Sequence, residues 1–558
     1  MGNGRHVTRK DDQTVARQWK RHAKSAALVV ILALFAYILI PPAEEPPEGG
    51  SDKDTALDPD RKAAYTIKFS AGGRYQPGAR PHGIGEPLQG LRHVIAAFEE
   101  RFPDTRIEVV RTPRVREYLV TQLSSGSAPD ILNVAVEDVW VDTQKDWYVP
   151  LDSFLEAPNP FVVEKGDPEL PGATQWWDMF RYQAISRGKA APDGKNYCLT
   201  LDMVETGIYY NKTIFNDLGL TPPEDWDAFM RICETIRMHD GFEHPTTPLL
   251  MDLGAFFDWG HDLIFDQLYY GILPGIDLKT DPTREAYLKG YLDPEELAYL
   301  NTKGFFTERD PRYREMWRLM KELKQYTNRD LSGVDFVREF VNQRGVMLWS
   351  ASPLVYRFNL DKKLAFDWGV FYLPKFTRQT SKYASGVDMC VIGGSASQFE
   401  VTNSAVNDTP VTWPMEKRIQ ASERLKRVMA FLQFLCLPEQ AQKVINEYPC
   451  LIPNIVGVEP LPELKDFVQI LERRYTTTKW IFSFDLRFSD ILERMLSLYL
   501  SEGGIELDEF MAWQIKNVEA GCVKAVARKG IDLSSFDQRW QELAPIRATY
   551  MDLPSEAP

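Results

Sequence analysis

The sequence contains little cysteine: there are six cysteines in 558 residues, none in a CxxC pair and too sparse for a disulfide scaffold. It also lacks the GxxxxGK[ST] phosphate cradle, the HExxH zinc pair and the GxSxG nucleophile elbow. These absences argue against a P-loop nucleotide hydrolase, a zinc peptidase and an α/β-hydrolase. We therefore expect no metal and no cofactor.

Basic residues are outnumbered by acidic ones, because 65 Lys and Arg stand against 79 Asp and Glu, a net charge of −14. A surface of that sign repels a phosphate backbone, so we expect no nucleic-acid partner. The remaining composition, 44% hydrophobic and 12% aromatic, is typical of a folded globular protein. At about 150 residues per domain, the length predicts three or four domain-sized units.

One uncharged apolar run, residues 26–40, follows a basic arm at 1–25 and precedes Pro41 and Pro42. This order is typical of an export signal, and the positive-inside rule keeps the arm in the cytoplasm. Because no A-x-A cleavage site follows, we favour an uncleaved signal-anchor that crosses the cytoplasmic membrane once; a cleaved signal peptide and a buried helix stay open. The acidic, Pro-rich segment 41–62 then predicts a disordered linker to a large extracytoplasmic domain.

Strands and helices alternate at the start of that domain. The apolar patterns predict three strands and two helices, in the order 66–70, 91–102, 106–110, 115–123 and 131–136. In the first helix, Leu91, Val94 and Phe98 recur at helical spacing. A β-α-β-α-β order predicts a mainly parallel sheet. Ligands bind beyond the carboxyl ends of such strands, which here are 70–73 and 133–140.

Several later segments, taken together in order, resemble one family. They are 98–110 (FEERFPDTRIEVV), 118–133, 207–226, 345–350 (GVMLWS), 366–374, 383–394 and 430–454. This set is similar to extracellular solute-binding proteins of ABC importers, family 1, the maltose-binding-protein-like group that binds carbohydrates. The resemblance covers roughly residues 65 to 520. The loops at 155–195 and 240–310 are longer than the family usually carries, and its lipobox is missing.

The resemblance implies an α/β, two-lobed, periplasmic-binding-protein-like (type II) fold with interleaved lobes and a hinge, here preceded by an N-terminal membrane helix. Lobe 1 would comprise 63–198 plus 383–458, and lobe 2 would comprise 199–382 plus 459–558. The family binds a solute in the cleft between the lobes and delivers it to membrane permease subunits. We therefore expect a membrane-anchored carbohydrate-binding subunit with a monomeric ectodomain and no enzymatic activity.

A sugar pocket needs aromatic platforms together with carboxylate, amide or Arg groups. The strand ends and the matched segments supply sixteen candidates: Ser70, Gly72, Gly73, Glu137, Asp138, Trp140, Asp202, Glu205, Trp259, Trp349, Ser350, Tyr356, Arg357, Ser385, Gly386 and Asp388. The aromatic residues could instead pack in the core or at its rim, and Asp202 and Glu205 could simply cap or solvate the hinge. Asn211 is expected to cap the helix that begins near Thr213.

Two other functions stay open. An extracytoplasmic glycoside hydrolase would need two carboxylates facing each other across a sugar. Glu137 and Asp138 are adjacent on a strand and point to opposite faces, so this pair alone does not meet that need. A ligand-sensing protein without transport would signal through the arm at 1–25, which has no apolar periodicity. We favour the binding subunit of an importer.

Overall fold

The structure is a computed structural model that describes residues 63–80, 85–113, 115–134, 139, 142, 145–181, 195–279, 292, 294–331, 333–362, 364–394, 398–471, 474–476, 494–501, 503–550 and 552–554. All of them belong to the compact unit Lys62–Pro558. The basic arm, the apolar run 26–40 and the linker lie outside the described residues. Within the described ranges, no helix combines the length and the apolar character needed to cross a bilayer.

The described part of the chain forms twelve strands, numbered in chain order: Tyr65–Phe69 (β1), Thr105–Val109 (β2), Ile131–Leu132 (β3), Cys198–Thr200 (β4), Asp202–Asn211 (β5), Thr247–Leu250 (β6), Gly345–Ala351 (β7), Trp368–Phe371 (β8), Met389–Gly394 (β9), Gln398–Val401 (β10), Ile452–Pro453 (β11) and Arg474–Thr476 (β12). They build two sheets, in the orders β2-β1-β3-β10-β4 and β12-β9-β5-β7-β6. β8 and β11 also pair with β5.

The first sheet is parallel where the sequence predicts it to be. β1 pairs in parallel with both β2 and β3, whereas β10 returns later in the chain and lies antiparallel between β3 and β4. The observed third strand is Ile131–Leu132, so residues 133 and 134 of the predicted strand, 131–136, lie beyond its end, and residues 135 and 136 lie outside the described residues. The side-chain amide of Asn133 donates to the carbonyl of Gln398 (2.8 Å).

The second sheet is organised around β5, the longest strand among the described residues. Nine of its ten residues are buried, as expected for a strand covered on both faces. β7 and β8 flank it on opposite sides, both antiparallel, and β9 also pairs with it near Val204 and Glu205. β6 lies parallel to β7 and is the last strand at that end of the sheet.

Helices cover both sheets. The α-helices in the described ranges are Gly90–Arg101, Arg116–Ser125, Asp152–Leu155, Pro160–Val163, Lys212–Asp217, Trp226–Met238, His261–Tyr269, Leu273–Ile276, Pro294–Thr302, Pro311–Lys324, Phe336–Val341, Leu354–Leu360, Met415–Ala421, Glu423–Leu435, Pro438–Ile445, Leu507–Lys529, Asp537–Glu542 and Ala544–Arg547. In the same ranges, 3₁₀ turns span Trp176–Met179, Tyr270–Ile272, Asn403–Val406, Pro462–Leu471 and Leu533–Phe536, and one π-helix spans Ala255–Gly260.

Side-chain caps define where several helices begin. Asn211 accepts a hydrogen bond from the Ile214 amide (3.1 Å), so the expected cap at this position is confirmed. Asp225 caps the next helix in the same way by accepting from the Ala228 amide (2.7 Å). The apolar positions of the first predicted helix, including Phe98, are buried as their spacing indicates.

Each sheet has its own hydrophobic core. Around the first sheet, the rings of Phe69 and Phe399 meet edge to face at 5.1 Å, and the helix Glu423–Leu435 packs Phe431 against both Phe69 and Phe98. The second core contains residues from 208 to 389 and again from 496 to 543. The chain therefore returns to the second core after it has completed the first one.

The two sheets are joined where β5 begins. Leu201 alone separates β4, in the first sheet, from β5, in the second. β11 pairs with the first residues of β5, Pro453 opposite Asp202 and Ile452 opposite Met203. β9 ends opposite Val204. We use the name junction for the region formed by the start of β5, the end of β9 and the whole of β11.

The helix Gly90–Arg101 has no capping side chain of its own. Instead, the carboxylate of Glu447 accepts the Gln89 and Gly90 amides at 2.5 and 2.6 Å. We predict that Glu447→Gln lowers the free energy of unfolding by about 1 kcal/mol, because the N-terminus loses its negative partner. Urea denaturation measures this loss, and Glu164→Gln, at an exposed ion pair with Arg101, is the control. Equal stability of both variants would contradict the role given to Glu447.

Candidate functional site

Polar side chains gather at the carboxyl edge of the first sheet. Ser70 follows β1 and Asn133 follows β3, and both are only 6% exposed. The neighbouring Thr200, at the end of β4, is fully buried. Because β10 runs antiparallel to β3, its first residue, Gln398, lies at this edge too. The edge therefore offers hydroxyl and amide groups at the position where α/β sheets bind ligands.

The loop after β1 connects this edge to the junction. Gly72 has φ +73°, a conformation that glycine adopts without strain, and the chain then turns through Gly73. Tyr75 donates its hydroxyl hydrogen to the carboxylate of Asp202, and both side chains are buried. The next residue back, Arg74, is half-buried, and no described residue accepts a hydrogen bond from its buried Nη1.

The acids proposed for the hinge lie inside the junction. Asp202 and Glu205 are both fully buried. A carboxylate oxygen of Glu205 accepts from the Thr206 amide (2.9 Å), and its carbonyl accepts from the Ser352 amide (2.8 Å). Tyr75 comes from the first sheet and Ser352 from just beyond β7, so groups from both sheets hold these two residues.

Residues that follow the helix Pro438–Ile445 also lie at the junction. The Ser352 hydroxyl donates to the carbonyl of Cys450 (3.1 Å). Burial raises the pKa of Tyr448 to about 12, and the positive charge of Arg74 opposes that rise. Burial likewise raises the pKa of the Cys450 thiol, again against Arg74. The positive charge of Arg74 therefore acts on both groups.

A cavity of about 420 Å³ lies at the carboxyl ends of β6 and β7. Asp252, Asp335, Trp349 and Ser350 are among the residues that line it. Its size is within the range of pockets that hold small molecules, roughly 300 to 1,000 Å³. Ser350 is followed by Ala351, which packs against the first core, so this cavity lies beside the contact between the two sheets.

Trp349 is packed in the core and also lines that cavity. It is 2% exposed, and its indole Nε1 donates to the Thr206 hydroxyl at 3.4 Å. Trp259, in the π-helix, is half-buried with its ring 6.5 Å from that of Trp349. The π-helix widens the turn that carries Trp259, a distortion that often occurs near functional sites. Of the two indoles, Trp259 is the more accessible.

Tyr356 and Arg357 lie on the helix Leu354–Leu360 and are both half-buried. Tyr356 packs against the first core although its helix belongs to the chain segment after β7. Its hydroxyl leaves no room for a Cβ at Gly85, whose φ of +83° also requires glycine. Tyr356 therefore joins the two halves of the site.

The structure places three of the expected residues elsewhere. The Ser385 amide donates to the carbonyl of Gln267 (3.0 Å), and Gly386 follows it on the surface of the helix His261–Tyr269. Asp388 forms an ion pair with Lys375 (3.3 Å) in a separate cavity of about 450 Å³. Glu137, Asp138 and Trp140 lie outside the described residues.

Sequence reasoning missed four residues of the site: Arg74, Tyr75, Thr206 and Tyr448. Arg74 and Tyr75 directly follow the Gly72-Gly73 turn, and extending the strand-end loop by two residues would have included them. Tyr448 carried no local signal, because its position depends on contacts with residues far away in the chain.

The chain matches the family of bacterial extracellular solute-binding proteins over residues 85–440, more than half of its length. It belongs to that family, and the resemblance given by the sequence is confirmed. The two sheets with their separate cores are the two lobes of this α/β fold.

Individual relatives agree with this assignment. A multiple sugar-binding protein of Streptococcus mutans is 28% identical over 147 residues, which are 26% of this chain and 30% of that protein. The apo form of RafE from Streptococcus pneumoniae superposes with a TM-score of 0.54 at 16% identity, over 84% of this chain and 100% of RafE. The bacterial solute receptor AcbH gives a TM-score of 0.53 at 14% identity, over 83% of this chain and 99% of AcbH. These two structures support the fold.

The bond between Tyr75 and Asp202 is the clearest tie between the loop after β1 and the junction. We predict that Tyr75→Phe lowers the free energy of unfolding by about 1.5 to 3 kcal/mol, because a buried carboxylate loses a charge-assisted donor. Chemical denaturation measures the change. Tyr118→Phe, at a side chain that is 42% exposed, should leave stability unchanged. A Tyr75→Phe protein as stable as the parent would show that the bond contributes nothing.

Proposed function

We propose that this protein is the extracytoplasmic substrate-binding subunit of an ABC importer and that it captures a carbohydrate between its two lobes. One observation carries the proposal: the polar carboxyl edge of the first sheet and the cavity at the carboxyl ends of β6 and β7 lie on either side of a single junction. Hydroxyl, amide and carboxylate groups there, with Trp259 and Trp349 beside them, suit the rim and the apolar faces of a sugar.

The relatives support carbohydrate as the ligand class. The Streptococcus mutans relative is named a multiple sugar-binding protein, and AcbH is described as preferring β-D-galactopyranose. The match to the Streptococcus mutans protein covers less than a third of that protein. A sugar ligand for this chain is therefore part of the proposal.

Closure about the junction is the proposed mechanism. Lobe 1 would comprise 63–198 plus 383–458, and lobe 2 would comprise 199–382 plus 459–558. β1, β2, β3 and β10 support the first set by sharing one sheet. Two residues of β4 in that sheet, Leu199 and Thr200, fall in the second set, and β9 and β11 of the first set pair with strands of the second sheet. Because the junction consists of a few short strand segments, rotation there would move each lobe as a rigid body, as in other periplasmic binding proteins.

The delivery step is proposed from the family and the N-terminus. An importer's binding protein presents its solute to membrane permease subunits, which we propose as the partners. The basic arm and apolar run at 1–40 would tether the domain to the outer face of the cytoplasmic membrane, with 41–62 as a spacer.

A panel of mono- and oligosaccharides tests the proposal by thermal unfolding. A bound sugar should stabilise the protein by about 2.7 kcal/mol at a hundredfold excess over Kd, and chromatography should recover the sugar intact. Amino acids serve as control ligands. Catalytic release of products would overturn the transport function, and so would the absence of stabilisation by any sugar.

Arg74 provides a second test at a single side chain. We predict that Arg74→Gln weakens sugar binding by about tenfold or more, because a guanidinium hydrogen bond to a ligand oxygen contributes about 1.5 to 3 kcal/mol. Stability should not fall, since no described residue accepts from the buried Nη1. Calorimetric titration and urea unfolding measure the two effects. Arg92→Gln, on the exposed face of a helix, is the control. Lower stability with unchanged affinity would make Arg74 a structural residue.

A further inference from the structure

The chain enters the described domain at the amino edge of the first sheet, which is the edge where β1, β2 and β3 begin. The Tyr65 amide donates to the carbonyl of Asp104 (3.0 Å), directly before β2. Arg424 donates to the carbonyl of Thr66 (2.6 Å). Whatever precedes residue 63 therefore leaves the domain at the amino edge, whereas the polar groups of the candidate site lie at the opposite, carboxyl edge.

The loop that follows β10 lies at the same amino edge. β10 runs antiparallel to β3 and therefore ends where β3 begins. Further along, Asp408 accepts a hydrogen bond from the Arg424 amide (2.9 Å), so Arg424 contacts both the entering strand and this loop. Val411 lies within about 11 Å of Asp408, because consecutive Cα atoms are about 3.8 Å apart. We call residues 408–414 the amino-edge loop.

The base of the amino-edge loop is held by buried hydrogen bonds. Arg418 is only 8% exposed and donates to the carbonyl of Val406 (3.1 Å) and to the hydroxyl of Thr409 (3.2 Å). The buried Ser422 hydroxyl donates to the carboxylate of Asp408 (2.5 Å). These contacts fix both ends of the loop on the domain, so its tip is presented in a defined position.

The tip of the amino-edge loop is apolar and exposed. The Trp413 amide donates to the carbonyl of Pro410 (3.1 Å), which closes a turn with Val411 at its tip. Val411 is 81% exposed, more than any other large apolar side chain in the described ranges. Trp413 is half-buried, and the Lys417 amine lies 3.8 Å from the centre of its ring. An exposed aliphatic side chain beside an indole and a lysine is typical of the membrane–water interface.

The charges around the amino-edge loop are balanced. Residues 408–418 contain two acids and two bases. Three ion pairs lie near the base of the loop: Lys426 with Glu423 (2.6 Å), Arg427 with Asp104 (2.6 Å) and Arg424 with Asp130 (2.7 Å). The net charge of the chain, −14, repels anionic lipid headgroups, whereas a balanced edge does not. The amino edge can therefore approach a bilayer without that repulsion.

A bilayer suits the amino-edge loop better than a protein partner does. A single turn with two apolar side chains does not supply the roughly 800 Å² that each partner buries in a stable protein interface, since even an aromatic side chain buries about 150–250 Å². A weak contact is sufficient when a tether keeps the surface close. The proposed anchor ends at residue 40, so 22 residues, 41–62, separate it from the domain. A linker of this kind gives an effective concentration on the order of millimolar.

We propose that the amino-edge loop inserts Val411 and Trp413 into the interface of the bilayer to which the N-terminal segment tethers the domain. This inference rests on the membrane tether of the proposed function. The carboxyl edge and the candidate sugar site then face away from the bilayer, because the two edges are opposite ends of the same strands; β1 alone spans roughly 16 Å, at about 3.3 Å per residue. Docking therefore leaves the site open to the medium, and presentation of the solute to a permease requires the loop to leave the bilayer.

Fluorescent labelling of the full chain in lipid vesicles tests the proposal. Val411→Cys can be labelled selectively with nitrobenzoxadiazole, because all six native cysteines are buried. Its emission should shift to the blue and be quenched by spin-labelled lipid. Val115→Cys is the matched control: Val115 is 54% exposed and precedes the helix Arg116–Ser125, which starts beyond the carboxyl end of β2. A label at residue 115 should show neither change.

A second variant tests the apolar contact itself. With the label moved to the exposed Thr412, as Thr412→Cys, adding Val411→Asp should lower the equilibrium constant for docking about tenfold or more, because a carboxylate would have to leave water. The stability of the domain and its affinity for sugar should not change, since Val411 is exposed and lies at the opposite edge from the site.

Four outcomes would contradict the inference. Equal quenching of labels at residues 411 and 115, or full quenching in the Val411→Asp variant, would overturn it and leave sugar binding and the tether intact. A blue shift at residue 411 only in vesicles that contain permease subunits would assign the loop to a protein partner instead. Failure of the full chain to float with the vesicles would overturn the proposed tether and this inference with it, while sugar binding is measured separately by titration.

Discussion

The fold depends on the close approach of the two sheets at the start of β5. Only Leu201 separates the last strand residue of one sheet from the first of the other, and β11 and β9 pair within the next few residues. Buried acids at this point require partners: the Asp202 carboxylate accepts from the Tyr75 hydroxyl, and the Glu205 carboxylate accepts from the amide of the next residue, Thr206. The backbone carbonyl of Glu205 accepts from the Ser352 amide, which lies just beyond β7. Hydrogen bonds of Asp202 and Glu205 therefore connect the start of β5 with the loop after β1 and with the residue just beyond β7.

Local patterns were sufficient for much of the fold. The spacing of Leu91, Val94 and Phe98 predicted a helix with one buried face, and Asn211 was recognisable as a cap from its position before a helical run. The group that caps the helix Gly90–Arg101 was not predictable from the sequence. Glu447 is more than 350 residues away, and nothing near Gln89 indicates that a distant carboxylate will serve there.

The site was predictable where it coincides with the ends of well-marked strands. Trp349 and Ser350 end an apolar strand and do line a cavity. The segment before β9 lies differently, because the Ser385 amide donates to the carbonyl of Gln267 in the helix His261–Tyr269 before the strand begins. Sequence could not show this, since the contact with Gln267 depends on how two distant segments pack. Residues such as Tyr448 enter the site by the same kind of long-range packing.

Arg74 shows why stability and binding pull in different directions at this site. A buried polar atom without an acceptor costs free energy, and within the described ranges no residue accepts from Arg74 Nη1, whereas Asp202 and Glu205 nearby have partners. Selection for stability alone would replace such an arginine or supply it with a carboxylate. A ligand oxygen that accepts from Nη1 recovers the cost only in the bound state. In the proposed function, the role of Arg74 is therefore to bind a hydrogen-bond acceptor of the ligand.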